Sequence, residues 1–169
     1  MTGLKVVAAL AVVGAALGLG RLAARPYRAR VLTLEAFQRV MRRLQPLMVR
    51  NRLPLPSALV EAARAQPLLF SAIESLVATL GNPDADLARQ WDQMLEGIPG
   101  LWEDDRAVLR DFGRILGRTD AEAQQAELAA VREELSRLTL EARRHEAQDG
   151  RLYPALISAM GVMVVILLL

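Results

Sequence analysis

Every charged residue of this 169-residue chain except Lys5 lies between Arg21 and Arg151, and the sequence on either side is apolar. Val6 to Gly20 is an uninterrupted run of apolar and small residues, and Leu152 to Leu169 carries no charge. A helix rises about 1.5 Å per residue, so the second run reaches roughly 27 Å, close to the hydrocarbon thickness of a bilayer. The layout predicts a polar domain held to a membrane at both ends. The expected divisions are an N-terminal anchor over 1–22, a cytoplasmic helical domain over 23–150 and a C-terminal transmembrane helix over 151–169.

The charges flanking each run set its orientation. Gly18 and Gly20 offer the small residues of a signal-peptide cleavage site, but only Lys5 precedes the run, while Arg21, Arg25, Arg28 and Arg30 follow it. Positive charge after an apolar segment resists translocation, so a retained anchor with its C-terminal side in the cytoplasm is expected. Arg143, Arg144 and Arg151 precede the second run and place the same domain in the cytoplasm. Tyr27 and Tyr153 fall near the inferred interfaces. Gly14 and Gly18 have GxxxG spacing with Ala11 and Ala15 beside them, a candidate face for close helix packing. Two spans enclose no pore, so transport would require a homo-oligomer or partners.

The middle of the chain has the composition of an all-α bundle. It is rich in Ala, Leu, Arg, Glu and Gln, the whole chain is only 4% aromatic, and no alternating strand pattern occurs. Breakers divide it into about six helices. The first runs from about Thr33 to Arg50, with Leu34, Phe37, Met41, Leu44 and Met48 on one face and Pro46 expected to kink it. Pro56 or Ser57 opens a second helix, Pro67 a third that ends at Gly81, and Asp84 caps a fourth carrying Leu87, Trp91 and Leu95. A fifth starts in the cluster Glu103, Asp104 and Asp105 and closes at Gly117. In the sixth, Thr119 and Glu122 have capping-box spacing, and Ala121, Gln124, Leu128, Val131, Leu135, Leu138 and Ala142 form a heptad seam. Gly150 and Pro154 are expected to break or bend the chain beyond it.

Charge is lopsided. Arg21 to Arg64 holds ten arginines against Glu35 and Glu61, a net +8, and Ala65 to Asp149 holds nine arginines against seventeen acids, a net −8. The basic part adjoins the first apolar run, where anionic lipid attracts it by about 1 kcal/mol per charge. The acidic part is available to a basic partner.

No catalytic constellation stands out. There is no Gly-rich phosphate loop, and the only lysine is Lys5. With no cysteine the chain has neither disulfides nor a thiolate metal site, and the lone His145, at the next seam position, reads as a partly buried or interfacial side chain. Glu103, Asp104 and Asp105 complement a helix dipole and need no metal to explain them. The basic stretch lacks interleaved aromatics, so lipid is expected there and nucleic acid is not. Trp91 and Trp102 read as core anchors. From the residues alone the expectation is a non-enzymatic, membrane-anchored interaction module without cofactor or metal.

Two stretches go further: Asn51-Arg52-Leu53-Pro54-Leu55-Pro56-Ser57-Ala58-Leu59, and Phe112-Gly113-Arg114-Ile115-Leu116-Gly117-Arg118-Thr119-Asp120 with Gln124 beyond it. In this order, between two terminal apolar runs, they resemble the stage III sporulation protein AB family. There a "PLPEAL"-like turn follows the first cytoplasmic helix and an "FG..LG..D...Q" pattern joins the last two. The resemblance marks Pro54, Leu55, Pro56, Ala58, Leu59, Phe112, Gly113, Leu116, Gly117, Asp120 and Gln124 as fold-determining rather than catalytic. It departs at Pro46, Leu47, Arg50 and Asn51, where acidic residues and an aromatic-Gly pair are common, and at Ser57, where an acid is common. Asn51 is expected to take the positive φ of the missing glycine, and Ser57 to cap in place of the acid.

The resemblance implies a multi-pass protein of the mother-cell membrane around the engulfed forespore, part of the complex linking the two cells. Its cytoplasmic domain is similar to the helical platform domains of type II secretion and type IV pilus systems. The implied partners are the cytoplasmic sporulation AA-type ATPase and other stage III sporulation A membrane proteins. Glu103, Asp104 and Asp105 are the candidate contact surface. The alternative is a platform or adaptor subunit of such a secretion or pilus system with no tie to sporulation.

Overall fold

Leucine- and alanine-rich segments separated by proline and glycine wind into six helices, with no strand among the described residues. The computed structural model describes residues 2–81, 86–116 and 121–168; most side chains of 2–23 and 149–168, and those of 49 and 121–125, lie outside the description. The helices are α1 (Thr2–Val49), α2 (Leu55–Ala63), α3 (Pro67–Thr79), α4 (Leu87–Gly97), α5 (Glu103–Leu116) and α6 (Ala121–Leu168). They form two compact units, Met1–Ala29 with Glu141–Leu169, and Arg30–Leu140. Among the described residues no helix is long and apolar enough to cross a membrane. The two apolar runs that predict spans consist largely of side chains outside those residues.

Proline and glycine interrupt the helices less than the sequence suggests. α1 continues through Pro46, with the Arg50 N–H donating to the Pro46 carbonyl at 2.9 Å, and does not begin at Thr33. A proline removes one helical hydrogen bond. Buried Leu44 before it and half-buried Leu47 and Met48 after it hold the turn in place. α6 likewise runs through Gly150 and Pro154. Strong helix formers lie on both sides, so the expected break does not occur.

The cap assignments also shift. Asp86, not Asp84, caps α4, its carboxylate accepting from the Ala88 N–H at 2.9 Å; Asp84 lies outside the described residues. The Thr119–Glu122 capping pair lies outside the description too. The left-handed residue after α1 is Arg52, with φ 52°, rather than Asn51. There the Leu53 N–H turns back to the Leu47 carbonyl at 3.2 Å.

The core of the second unit is built on Trp91. Its indole is fully buried, edge-on to Phe112 at 5.4 Å and to Phe37 at 6.4 Å. The indole N–H donates to the Leu109 carbonyl at 2.8 Å. From α1, Leu34, Phe37, Val40, Met41 and Leu44 are buried in helical phase, and from α6 Val131, Leu135 and Leu138 are buried as the heptad seam requires. Polar bonds fix these two helices in register. Gln38 donates to Thr139 Oγ1 at 3.0 Å and to the Leu135 carbonyl at 3.3 Å, and Arg132 donates to the Met41 carbonyl at 3.1 Å. In the first unit Ala142 is buried and His145 exposed, so of the two expected settings for the imidazole the partly buried one does not hold.

Candidate interaction site

The acidic start of α5 does not present three free carboxylates. Asp105 is fully buried and accepts from Arg30 through both oxygens, Nη2 to Oδ1 at 2.7 Å and Nε to Oδ2 at 2.8 Å. Oδ2 also accepts from the Trp102 backbone N–H at 2.9 Å. Trp102 immediately precedes α5 and Asp105 is its third residue, so this is the acidic half of a capping box. The Arg30 guanidinium, itself buried, lies 4.1 Å from the centre of the Trp102 ring. Trp102 is 39% exposed, a lid over the ion pair rather than a core anchor. Thr33, on the same stretch of α1, donates to the Pro99 carbonyl at 3.0 Å, so α1 holds both the turn before α5 and the first turn of α5.

Asp105 is therefore removed from the candidate contact surface, while Glu103 and Asp104 remain on it, both exposed. Helical phase carries the distinction. Asp105 lies four, seven and eleven residues before Leu109, Phe112 and Leu116, all buried, so it belongs to the apolar face of α5. Glu103 and Asp104 do not share that phase. Arg30 stands in the same relation to Leu34, Phe37 and Met41 on α1.

The exposed acids are organised around Arg110. Glu103 accepts from it at 2.7 Å and Asp92 of α4 lies 4.0 Å away. Glu96 also acts on its charge. The hydrogen bond from Arg110, reinforced by its charge, holds the Glu103 carboxyl below its ordinary range, so it stays ionised to lower pH than a free glutamate. Arg106 also lies 3.8 Å from Glu103, so Asp92, Glu96, Glu103 and the neighbouring exposed Asp104 stand as four acids against two arginines.

The two sequence motifs build the fold around this site. Pro54 occupies the N-cap position of α2 and Pro56 its second turn-forming residue; no side chain caps the helix, so Ser57 does not substitute for an acid as expected. The Ala58 N–H closes the turn on the Pro54 carbonyl at 2.9 Å, and Ala58 and Leu59 are fully buried while Leu55 is half-buried. Phe112 and Leu116 are core residues. A Cβ on Gly113 would lie within 3.0 Å of three atoms of the Trp91 indole, so only glycine admits the ring there. Gly117 and Asp120 lie outside the described residues, as does the side chain of Gln124. In the first unit Gly14 and Gly18 are exposed, and a Cβ on either would meet nothing within 4 Å. The described atoms of the chain leave that face uncovered.

No group of three or more His, Cys, Asp or Glu able to hold a metal occurs among the described residues. The described charged clusters are ion pairs that position helices or line a surface. The family model of stage III sporulation protein AB matches residues 5–169, and the chain belongs to that family. Its role is accordingly a sporulation-related one. No curated protein and no solved structure matches the chain.

Proposed function

We propose that this protein is a non-catalytic membrane platform in the complex that joins mother cell and forespore. The apolar runs Val6 to Gly20 and Leu152 to Leu169 serve as its two transmembrane helices, and the intervening domain faces the mother-cell cytoplasm. The observation that carries the reading is the reach of the family match, which takes in both apolar runs and the domain between them. A cytoplasmic secretion-type ATPase is the partner that the platform resemblance implies. The acidic face around Arg110, with Glu103 and Asp104 at its edge, suits a basic surface on that ATPase.

Deletion of the gene in its own organism, complemented by the intact copy, tests the platform role. The expected result is normal vegetative growth, forespores that stall after engulfment, and loss of most heat-resistant spores. Normal sporulation would remove the role and leave a secretion-type adaptor. The partner face is tested separately. E103K/D104K in the full chain is expected to weaken capture of the purified ATPase roughly tenfold while the circular dichroism spectrum is unchanged. Unchanged capture would exclude this face and leave the platform role intact.

A further inference from the structure

The exposed part of the first motif borders a trough that the acidic face does not explain. The positive φ of Arg52 and the fixed φ of Pro54 and Pro56 carry the chain from the end of α1 across to α2. Beside this crossing is an open groove of about 600 Å³ whose apolar lining is Leu47, Leu53, Val60 and Val77, with Pro56 at the rim. It shares Leu47, Asn51 and Glu61 with an adjoining hollow of about 210 Å³ that reaches Arg43 and Arg50. The two form one trough, in which these apolar side chains alternate with Asn51, Ser57, Glu61 and Arg64, and Arg43 and Arg50 stand at its end.

The charges on this trough are unbalanced. Among the described residues Glu61 is its only acid, and it is already 3.4 Å from Arg64. Arg43 and Arg50 are exposed and have no acidic partner among the described residues. They belong to the Arg21–Arg64 stretch whose net charge is +8, a field that draws anionic partners. A nucleic-acid phosphate would engage the two arginines and leave the apolar lining uncovered, and a lipid acyl chain would lie against Asn51 and Ser57, polar lining that a peptide backbone can hydrogen-bond. A peptide with carboxylates beside apolar side chains satisfies both halves.

We infer that this trough is a docking site for an acidic, amphipathic peptide segment of a partner protein. Its apolar side chains cover Leu47, Leu53, Val60 and Val77, and its carboxylates meet Arg43 and Arg50. The site is opposite in charge to the Glu103 and Asp104 face, so it does not depend on the ATPase reading.

The test uses the full chain in detergent micelles and a fluorescein-labelled amphipathic peptide of Glu, Ala and Leu. The controls are its Lys-for-Glu counterpart, polyglutamate of equal length and vesicles containing phosphatidylglycerol. The expected result is saturable binding of the Glu-Leu peptide, weakened roughly tenfold or more by R43E/R50E and also by Val60→Ser. E103K/D104K should leave it unchanged. Circular dichroism establishes that each variant is folded. Equal binding of polyglutamate or of the Lys peptide would overturn the inference, because the trough would then read charge alone or none. Binding insensitive to both trough variants would place the peptide elsewhere, and competition by the vesicles would assign the arginines to lipid.

Discussion

Asp105→Ala is expected to destabilise the full chain by about 3–5 kcal/mol, because it leaves the Arg30 guanidinium buried without a counter-charge. The side chains of Arg30 and Asp105 are 4% and 0% exposed, so water does not replace the lost partner. Three hydrogen bonds disappear together, two from Arg30 and one from the Trp102 N–H. The penalty comes from stranding a charge, so removing both charges should cost far less. Arg30→Met with Asp105→Leu is expected to be near neutral or mildly stabilising, since a packed apolar pair avoids the desolvation that a buried ion pair incurs. Urea unfolding in detergent micelles, followed by tryptophan fluorescence, measures both. A single variant that loses less than about 1 kcal/mol would mean that the pair is solvated and outside the regime of a buried charge. The same variant tests positioning. Thr33 holds the turn before α5 and Arg30 its first turn, so Asp105→Ala should also weaken capture of the proposed ATPase partner, although Asp105 itself is buried.

That pair marks how far the sequence could be read and where it was misread. The division into helices follows from breakers and apolar phase, and α2 to α5 lie close to where Pro56 or Ser57, Pro67, Gly97 and the acidic cluster at Glu103 suggest. Both members of the ion pair were visible as charged residues in phase with buried leucine and phenylalanine. Each was nevertheless absorbed into a plausible local explanation, Arg30 into a basic stretch beside an anchor and Asp105 into acids that complement a helix dipole. Their connection spans 75 positions, and no local pattern encodes it. Continuity through Pro46 to about Arg50 is legible, whereas α6 runs on through Gly150 and Pro154, where a break or bend is expected. Pro46 is a breaker by propensity, but packing of Leu44, Leu47 and Met48 outweighs one missing hydrogen bond. The trough beside Arg52 was the least legible feature. It depends on a positive φ at an arginine, where asparagine or glycine is the usual choice, and on Val77 from α3 reaching the same hollow as Leu47 from α1.

Gly113→Ala should be among the most damaging small substitutions in the chain, with an expected loss of about 3 kcal/mol, the upper part of the usual range for overpacking a core. A methyl there would lie within 3.0 Å of Trp91 Cδ1, Cγ and Nε1, so the indole or α5 must move. The indole has little freedom to do so. It is fully buried, wedged edge-on against Phe37 and Phe112, and tied to the Leu109 carbonyl. That carbonyl is one helical turn before Gly113, so the missing Cβ is what lets the indole N–H come close enough to reach it. Trp91→Leu should itself cost several kcal/mol through lost packing and the lost hydrogen bond. On that background Gly113→Ala should cost much less than in the wild type, because the clashing ring is gone. A coupling of about 1–3 kcal/mol between the two sites is therefore expected from the four unfolding curves. Strict additivity would show that Gly113 matters for the backbone of α5 and not for Trp91. A large coupling would identify the FG pair of the second motif as the socket for a tryptophan on another helix.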